Sequence, residues 1–340
     1  MNILKTLIKI LISAVLLLAF GVSMLYLYTF ARYGREKDEK SLDIAHNNEK
    51  KPAEGAELSF LSWNISHGAR YSGCENRQGS DALCESAVRD NISGIISVLS
   101  GLKPDFVLLQ DVDIDSTATF NVDQSFLFMK SLECYSSSVA LNFDTAYLPT
   151  PVLNPAGKRV SGLKTMSGYG METSVRLALP TSSGLSKFNN YDYCFSLSKI
   201  KVTESAYLCV FNFRLSENAS LAEKQLGEIL EKMKAEQAAG NYVVAGGDFQ
   251  NRISPDGEDI SNAEKLIGSL DIKALSGDFE LAGPGSEEKT ATYYDFADGN
   301  FYVTDGFIVS SNIEITFSEV IGGNFEYSDH NPVLIKAKLK

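Results

Sequence analysis

The hydrophobic pattern divides the chain into an apolar N-terminal run and a longer segment in which apolar and polar positions alternate. Ile10–Phe30 contains 21 residues without a charged side chain. At about 1.5 Å of rise per residue, a helix of this length crosses a hydrocarbon core of about 30 Å. The run exceeds the apolar core of a secretory signal, about 7–15 residues, and no small-residue cleavage site follows it. We therefore predict a transmembrane anchor over residues 10–30, after a short segment over residues 1–9, with a cleaved signal sequence as the alternative.

A polar segment follows the predicted anchor. Residues 31–55 are rich in Lys, Glu, Asp and Asn, as in solvated linkers. We predict a polar linker there and one large domain over residues 56–340. Basic residues flank the anchor on both sides, so charge leaves the membrane orientation open. Because the anchor is N-terminal and no second apolar span follows, we expect a single-pass membrane protein with its domain outside the cytoplasm.

Within residues 56–340, the hydrophobic periods predict short strands separated by long helices. Strands are predicted over short apolar or alternating runs, and helices over runs with apolar residues three or four apart. The predicted strands are Leu58–Asn64, Asp105–Gln110, Ser205–Phe213, Asn241–Gly246, Asp305–Ser310 and Asn331–Lys338, and the predicted helices are Glu85–Leu102 and Ala219–Ala239. This order indicates an α/β protein with mixed sheets.

The charge balance weighs against a protein that binds nucleic acid in bulk. The chain has 31 Lys and Arg against 43 Asp and Glu, and residues 1–40 hold six of the basic side chains but only three of the acidic ones. The body is therefore acidic, whereas bulk binders neutralise phosphates with a basic face. A nuclease is not excluded, because a divalent ion in an acidic site attracts phosphate.

The five cysteines do not form a zinc pattern, since neither C-x-x-C nor a Cys/His pair at zinc spacing occurs. Cys74 and Cys84 flank a polar loop. In an oxidising space they can form a local disulfide; the alternative is that both remain free thiols.

Several carboxylates share one position in the pattern, at the end of a predicted strand. Asp111 follows the DFVLLQ run, Asp248 follows NYVVAGG, and Asp329-His330 precede the last strand. Side chains at strand ends can meet at one rim of a sheet. Gln250 lies two residues beyond Asp248 and so on the same side. Carboxylate and amide groups suit a magnesium-assisted phosphate site, and an imidazole tied to an acid can orient a base or hold a phosphate oxygen.

Five short blocks, in this order and spacing, resemble the endonuclease/exonuclease/phosphatase superfamily, which includes deoxyribonuclease I-like nucleases, abasic-site endonucleases, sphingomyelinases and inositol-polyphosphate 5-phosphatases. The blocks are Asn64 in LSWNISHG, Pro104–Val112, Gly247–Gln250, Asp305 in TDGFIVS, and Ser328–Pro332. The resemblance covers about residues 58–338. It implies a deoxyribonuclease I-like α/β (α+β) four-layer sandwich, in which two mixed β-sheets pack face to face with helices on the outside.

The resemblance also implies roles for the residues of these blocks. Asp111 and Asp329 are the implied ligands of Mg²⁺, with Mn²⁺ as a possible substitute. Asp248 is implied to position or activate the attacking water and Asp305 to orient the leaving-group side, while Asp329 and His330 act as a base or stabilise the phosphate. The residues implied to hydrogen-bond the site and the phosphate are Asn64 and Gln250.

Three further residues are candidate phosphate contacts: Arg214, Arg176 and His67. The alternative for Arg214 is a simple salt bridge, and the alternative for His67 is a surface histidine in a loop. Arg176 lies in the SGLKTMSGYGMETSVRLALP segment, which resembles a bacterial, membrane-associated branch of the superfamily.

Three positions depart from the superfamily pattern. Asp111 stands where the family has a metal-binding Glu, Gln250 where it has Asn, and Arg214 where most members have His. Arginine can clamp a phosphate but cannot donate a proton at working pH.

The expected function is a metal-dependent phosphohydrolase that cleaves phosphodiester or phosphomonoester bonds. The expected substrate is a nucleic acid, a phospholipid headgroup or a small phosphate ester. The alternative is a catalytically attenuated or inactive member that acts as a membrane-tethered binding module. The sequence indicates no protein partner.

Overall fold

The computed structural model describes residues 2–32, 34–69, 84–148, 155–182, 191–253, 270, 277–283, 291–295, 299–322 and 324–340. The helices are α1 (Asn2–Arg32), α2 (Glu85–Leu102), α3 (Gln124–Ser131) and α4 (Ala219–Ala238), with short 3₁₀ turns at Ser66–Gly68 and Thr117–Thr119. The strands are β1 (Glu39–Ser41), β2 (Glu57–Asn64), β3 (Phe106–Asp113), β4 (Ser136–Leu148), β5 (Gly157–Ser167), β6 (Thr173–Ala178), β7 (Cys194–Lys201), β8 (Tyr207–Arg214), β9 (Tyr242–Asp248), β10 (Phe279–Ala282), β11 (Tyr293–Asp295), β12 (Asn300–Tyr302), β13 (Asp305–Ser310), β14 (Ile313–Val320) and β15 (Val333–Leu339).

The described strands form two large mixed sheets and a separate hairpin. The seven-stranded sheet has the order β1-β6-β7-β8-β9-β13-β10, and the six-stranded sheet has the order β14-β15-β2-β3-β5-β4. β11 and β12 form the hairpin. Each large sheet contains one parallel pair, β8 with β9 and β2 with β3, among antiparallel neighbours.

Successive side chains of each strand point to opposite faces of its sheet, and both faces are apolar. The two sheets therefore pack face to face through one of these apolar layers. Phe60 and Phe106 of the six-stranded sheet pack with Val210, Val244 and Phe307 of the seven-stranded sheet in one buried cluster. Residues on the opposite faces pack against helices: α4 covers the seven-stranded sheet, and α2 and α3 cover the six-stranded sheet. The four-layer sandwich predicted from the sequence is confirmed.

The N-terminal helix has the features expected of an anchor. Within α1, Ile3–Tyr28 has a mean hydropathy of 2.5 and is not buried against the rest of the chain. It is long and apolar enough to cross a membrane; a signal sequence near an N-terminus would pass the same test of length and composition.

The segment after the anchor differs from the predicted solvated linker over residues 31–55. β1 pairs with β6 as the edge strand of the seven-stranded sheet, and Ala45 pairs with Ser137 beside the six-stranded sheet. An edge strand has one sheet neighbour and tolerates polar side chains, so it leaves little hydrophobic signal in the sequence.

The structure describes one of the two cysteines that were considered for a local disulfide, Cys74 and Cys84. Cys84 is disulfide-bonded, whereas Cys74 lies outside the described residues. Cys134, Cys194 and Cys209 are free thiols.

Candidate active site

The strand ends that carry the sequence blocks meet at one rim of the sandwich. The parallel pairing of β2 with β3 places Asn64 opposite Gln110, and that of β8 with β9 places Arg214 opposite Asp248. β13 is antiparallel to β9, so its first residue, Asp305, lies opposite Asp248, the last residue of β9. Residues far apart in sequence therefore become neighbours because of sheet pairing.

Local backbone geometry brings two of these carboxylates into place. Asp111 has a positive φ of 54° within an irregularity of the β3–β5 pairing between Leu109 and Val112. A non-glycine residue in this region is uncommon and often found at functional sites. Before Asp248, Gly247 is required by close packing, because a Cβ there would lie 2.1 Å from the Phe213 carbonyl oxygen.

An acidic group with one imidazole lies at the centre of the rim. Asp248, Asp305 and His330 are buried, and one potential ligand atom from each lies within 4.8 Å of the others. Nδ1 of His330 lies 2.8 Å from Oδ2 of Asp305. The Asp305–His330 contact fixes the ring so that Nε2 is the nitrogen left for other partners.

Burial and neighbouring carboxylates shift the pKa values of Asp248 and His330. Burial, together with the carboxylate of Asp305, raises the pKa of Asp248 to about 6. Burial alone lowers the pKa of His330, but Asp305 and Asp248 outweigh it and raise that pKa to about 10. Across neutral pH, His330 is therefore an imidazolium.

Two amide side chains hold Asp248. Asn64 Nδ2 donates to Asp248 Oδ2 at 2.7 Å, and the backbone N–H of Gln250 donates to Asp248 Oδ1 at 2.7 Å. The Gln250 side chain also donates to Asp248 Oδ2. The side chain of Gln250, one methylene longer than that of Asn, thus reaches the carboxylate.

Asp329 lies at the outer side of the acidic group. Its carboxylate accepts a hydrogen bond from Ser66, lies 3.8 Å from Nε2 of His330, and is about one-third exposed. Ser328 ties this segment to β2 by donating to the Asn64 carbonyl oxygen at 2.8 Å.

Asp111 belongs to a second buried group beside the first. Its Oδ2 accepts from Nε of Arg214 at 2.9 Å and from Asn64 at 3.3 Å, and its Oδ1 accepts from the Tyr191 hydroxyl at 3.1 Å. Asn64 therefore bridges Asp111 and Asp248. Burial alone would raise the pKa of Asp111, but Arg214 above all lowers it to about 2.

Sequence reasoning did not find three members of this second group: Tyr191, Arg159 and Asp113. Arg159 contacts Nε2 of His67, and Nδ1 of His67 lies 2.9 Å from Asp113. His67 is thus placed beside Asp111, 3.7 Å from its carboxylate. No short motif surrounds Tyr191 or Arg159, so only the fold reveals them.

The prediction for Arg176 is corrected by the structure. Its side chain is fully buried, and its guanidinium donates to the carbonyl oxygens of Leu141, Lys37 and Asp192 and to the Asp192 carboxylate. All these partners lie within the protein, so Arg176 joins strands and the segment before β1 rather than contacting a phosphate. A basic residue in a strand gives no sequence signal that separates the two roles.

The donor chemistry fits a cation at one of the two groups. Within the described residues, Oδ1 of Asp305 is buried without a hydrogen-bond partner, and two carboxylates lie close together there. A divalent ion satisfies both conditions. Asp111, predicted as a metal ligand, does not fit, because its Oδ2 already pairs with the buried Arg214 guanidinium, whose charge opposes a cation there.

Solved structures share this architecture. An endonuclease/exonuclease/phosphatase protein from Beutenbergia cavernae matches with a TM-score of 0.57 and 16% identity, over 83% of this chain and 72% of that one. The chain has the endonuclease/exonuclease/phosphatase fold. A family protein from Leptotrichia buccalis has this fold too, with a TM-score of 0.55 and 12% identity over 83% and 99% of the chains.

The same fold occurs in the human Nocturnin catalytic domain, solved with a bound sulfate anion. It matches with a TM-score of 0.53 and 15% identity, over 88% of this chain and 98% of that one. No protein-family model and no curated protein sequence matches the chain. At these identities, the endonuclease/exonuclease/phosphatase fold is what the solved structures share with it.

Proposed function

We propose that the chain is a metal-dependent phosphohydrolase that cleaves phosphodiester or phosphomonoester bonds. The observation that carries this proposal is the buried group of Asp248, Asp305 and His330 at the rim where the strand ends meet. A pair of carboxylates around an oriented imidazole is suited to water attack at phosphorus. The shared fold and the sequence blocks support the same reaction class.

In this proposal, Asp248 accepts the proton of the attacking water. Asn64 and Gln250 hold its carboxylate, so that it accepts the proton at a fixed position. His330, oriented by Asp305, places a positive Nε2–H where negative charge develops on the phosphoryl oxygens.

The cofactor we propose is Mg²⁺, or Mn²⁺ in its place. Asp248 and Asp305 would hold it, with Asp329 at the exposed side as a further ligand. Bound there, the ion supplies charge stabilisation of the phosphoryl oxygens.

The proposed location is a membrane surface, with α1 as a single-pass anchor and the domain outside the cytoplasm. An enzyme held in this way meets phosphate esters near the bilayer, such as phospholipid headgroups. The acidic body weighs against bulk nucleic acid, although nucleic acid and small phosphate esters remain candidate substrates. Product release from DNA, from sphingomyelin vesicles and from phosphoinositide vesicles distinguishes these substrates.

Hydrolysis of bis-p-nitrophenyl phosphate by the full chain in detergent tests the reaction class. We expect Mg²⁺-dependent release of nitrophenol that EDTA abolishes. His330→Ala and Asp248→Asn should each lower the rate about 10²–10⁴-fold. Asp90→Asn, which removes an exposed carboxylate on α2, is the matched control. Equal rates in the wild type and both site variants contradict the proposal.

One observation favours a second candidate function, a membrane-tethered binding module without turnover. The buried pair of Asp111 and Arg214 stands where the superfamily pattern has a metal-binding Glu and a His. Under this alternative, calorimetry detects inorganic phosphate binding that depends on His330, while no substrate is hydrolysed.

A further inference from the structure

The geometry around Asp111 disagrees with its expected role as a metal ligand. Both carboxylate oxygens already accept hydrogen bonds, Oδ2 from Arg214 and Asn64 and Oδ1 from Tyr191. The side chain is only 5% exposed. A cation that used Oδ2 would have to displace Arg214 or Asn64.

Arg214 cannot easily leave its place. Its side chain is 7% exposed, and its guanidinium carbon lies 4.2 Å from the centre of the Tyr191 ring. Such stacking on an aromatic face stabilises a guanidinium that is removed from water. Arginine also remains charged at any working pH, so its charge does not depend on conditions.

A divalent ion beside this guanidinium would meet like charge. The Nε atom of Arg214 lies 2.9 Å from Oδ2 of Asp111, so an ion bound to this oxygen would lie beside the guanidinium. Repulsion between a fixed positive charge and a divalent ion is large in a buried site, where water screens it weakly.

We propose that Arg214 occupies the cation position at Asp111 and excludes a divalent ion from it, which leaves Asp248 and Asp305 as the buried carboxylates that take up the ion. The positive charge beside Asp111 is then supplied by an arginine side chain and not by a bound ion. The ion at the acidic group rests on the proposed function, whereas the occupancy of Asp111 by Arg214 is independent of turnover.

Binding of Mn²⁺, followed by the electron paramagnetic resonance signal of the free ion, tests the inference on the full chain in detergent without substrate. Asp111→Asn should leave the Mn²⁺ affinity of the wild type unchanged, while Asp305→Asn should lower it by about tenfold or more. Arg214→Gln exposes an unpaired carboxylate and should gain one further ion per chain. Adding Asp111→Asn to Arg214→Gln should remove that ion, and the charge-preserving Arg214→Lys should not gain it.

Two results overturn the inference: weaker Mn²⁺ binding in Asp111→Asn by about tenfold, or no additional ion in Arg214→Gln. Circular dichroism establishes that each variant is folded. Should Arg214→Gln fail to fold, the Mn²⁺ affinity of the single variant Asp111→Asn still tests the inference. A wild type that takes up no Mn²⁺ contradicts the metal dependence of the proposed function, but Arg214→Gln still tests the occupancy of Asp111.

Discussion

Replacing Arg214 by Gln removes the charge that neutralises a buried aspartate. The Nε–Oδ2 distance is 2.9 Å, and the two side chains are 7% and 5% exposed. At an effective dielectric constant of about 20, unit charges about 4 Å apart attract by about 4 kcal/mol. Breaking a buried pair from one side typically costs about 3–5 kcal/mol, because the remaining charge stays buried.

The structure places the expected cost near the lower end of this range. After the substitution, Asp111 still accepts hydrogen bonds from Tyr191 and Asn64. We therefore expect Arg214→Gln to lower the free energy of unfolding by about 3 kcal/mol. Asp111→Asn should also destabilise the domain, since it leaves the guanidinium buried without its carboxylate.

Denaturant unfolding of the full chain in detergent measures these losses. Trp63 is the only tryptophan of the chain, is buried, and donates to the His330 carbonyl oxygen, so its fluorescence reports on the site. The double variant Arg214→Gln/Asp111→Asn should lose less than the sum of the single losses, by up to about 3 kcal/mol. A loss below about 1 kcal/mol in Arg214→Gln, or additive losses, refutes the assignment of a buried and coupled pair.

Three further predictions follow from the described contacts. Because the pKa of His330 is raised from 6.5 in the unfolded chain, its stabilising contribution is complete below pH 6.5 and is lost as pH rises through about 10, which pH-dependent unfolding measures. Arg176→Met should cost about 3 kcal/mol of stability without changing the KM of the folded fraction, because its guanidinium contacts only the protein; an altered KM with unchanged stability would restore a phosphate role. Gly247→Ala should destabilise the domain, since its Cβ would lie 2.1 Å from the Phe213 carbonyl oxygen, and a melting temperature equal to that of the wild type would contradict that contact.

The sequence predicted the elements in which apolar residues recur at a regular spacing over the whole element. α2 and β13 have the predicted bounds, the strand that ends at Asn64 lies where alternation predicted it, and the strand before Asp248 lies on the predicted apolar run. Periodicity did not reveal β1, whose polar residues form a sheet edge, or β4 and β5, which carry buried polar side chains such as Ser138, Thr165 and Lys164. These strands are specified by neighbours that are distant in the chain.

For the site, the sequence by itself determined which acids and amides stand at strand ends and that a long apolar helix precedes the domain. Those features depend only on the composition of short segments and on the order of residues within them. Only the tertiary structure decided which groups face one another: His330 with Asp305, Asp248 with Asn64, and Asp111 with Arg214 rather than with an open coordination position. The physical reason is that these side chains meet across the sheets although they lie as many as 184 residues apart, as Asn64 and Asp248 do, and no local pattern encodes which partner lies across the rim.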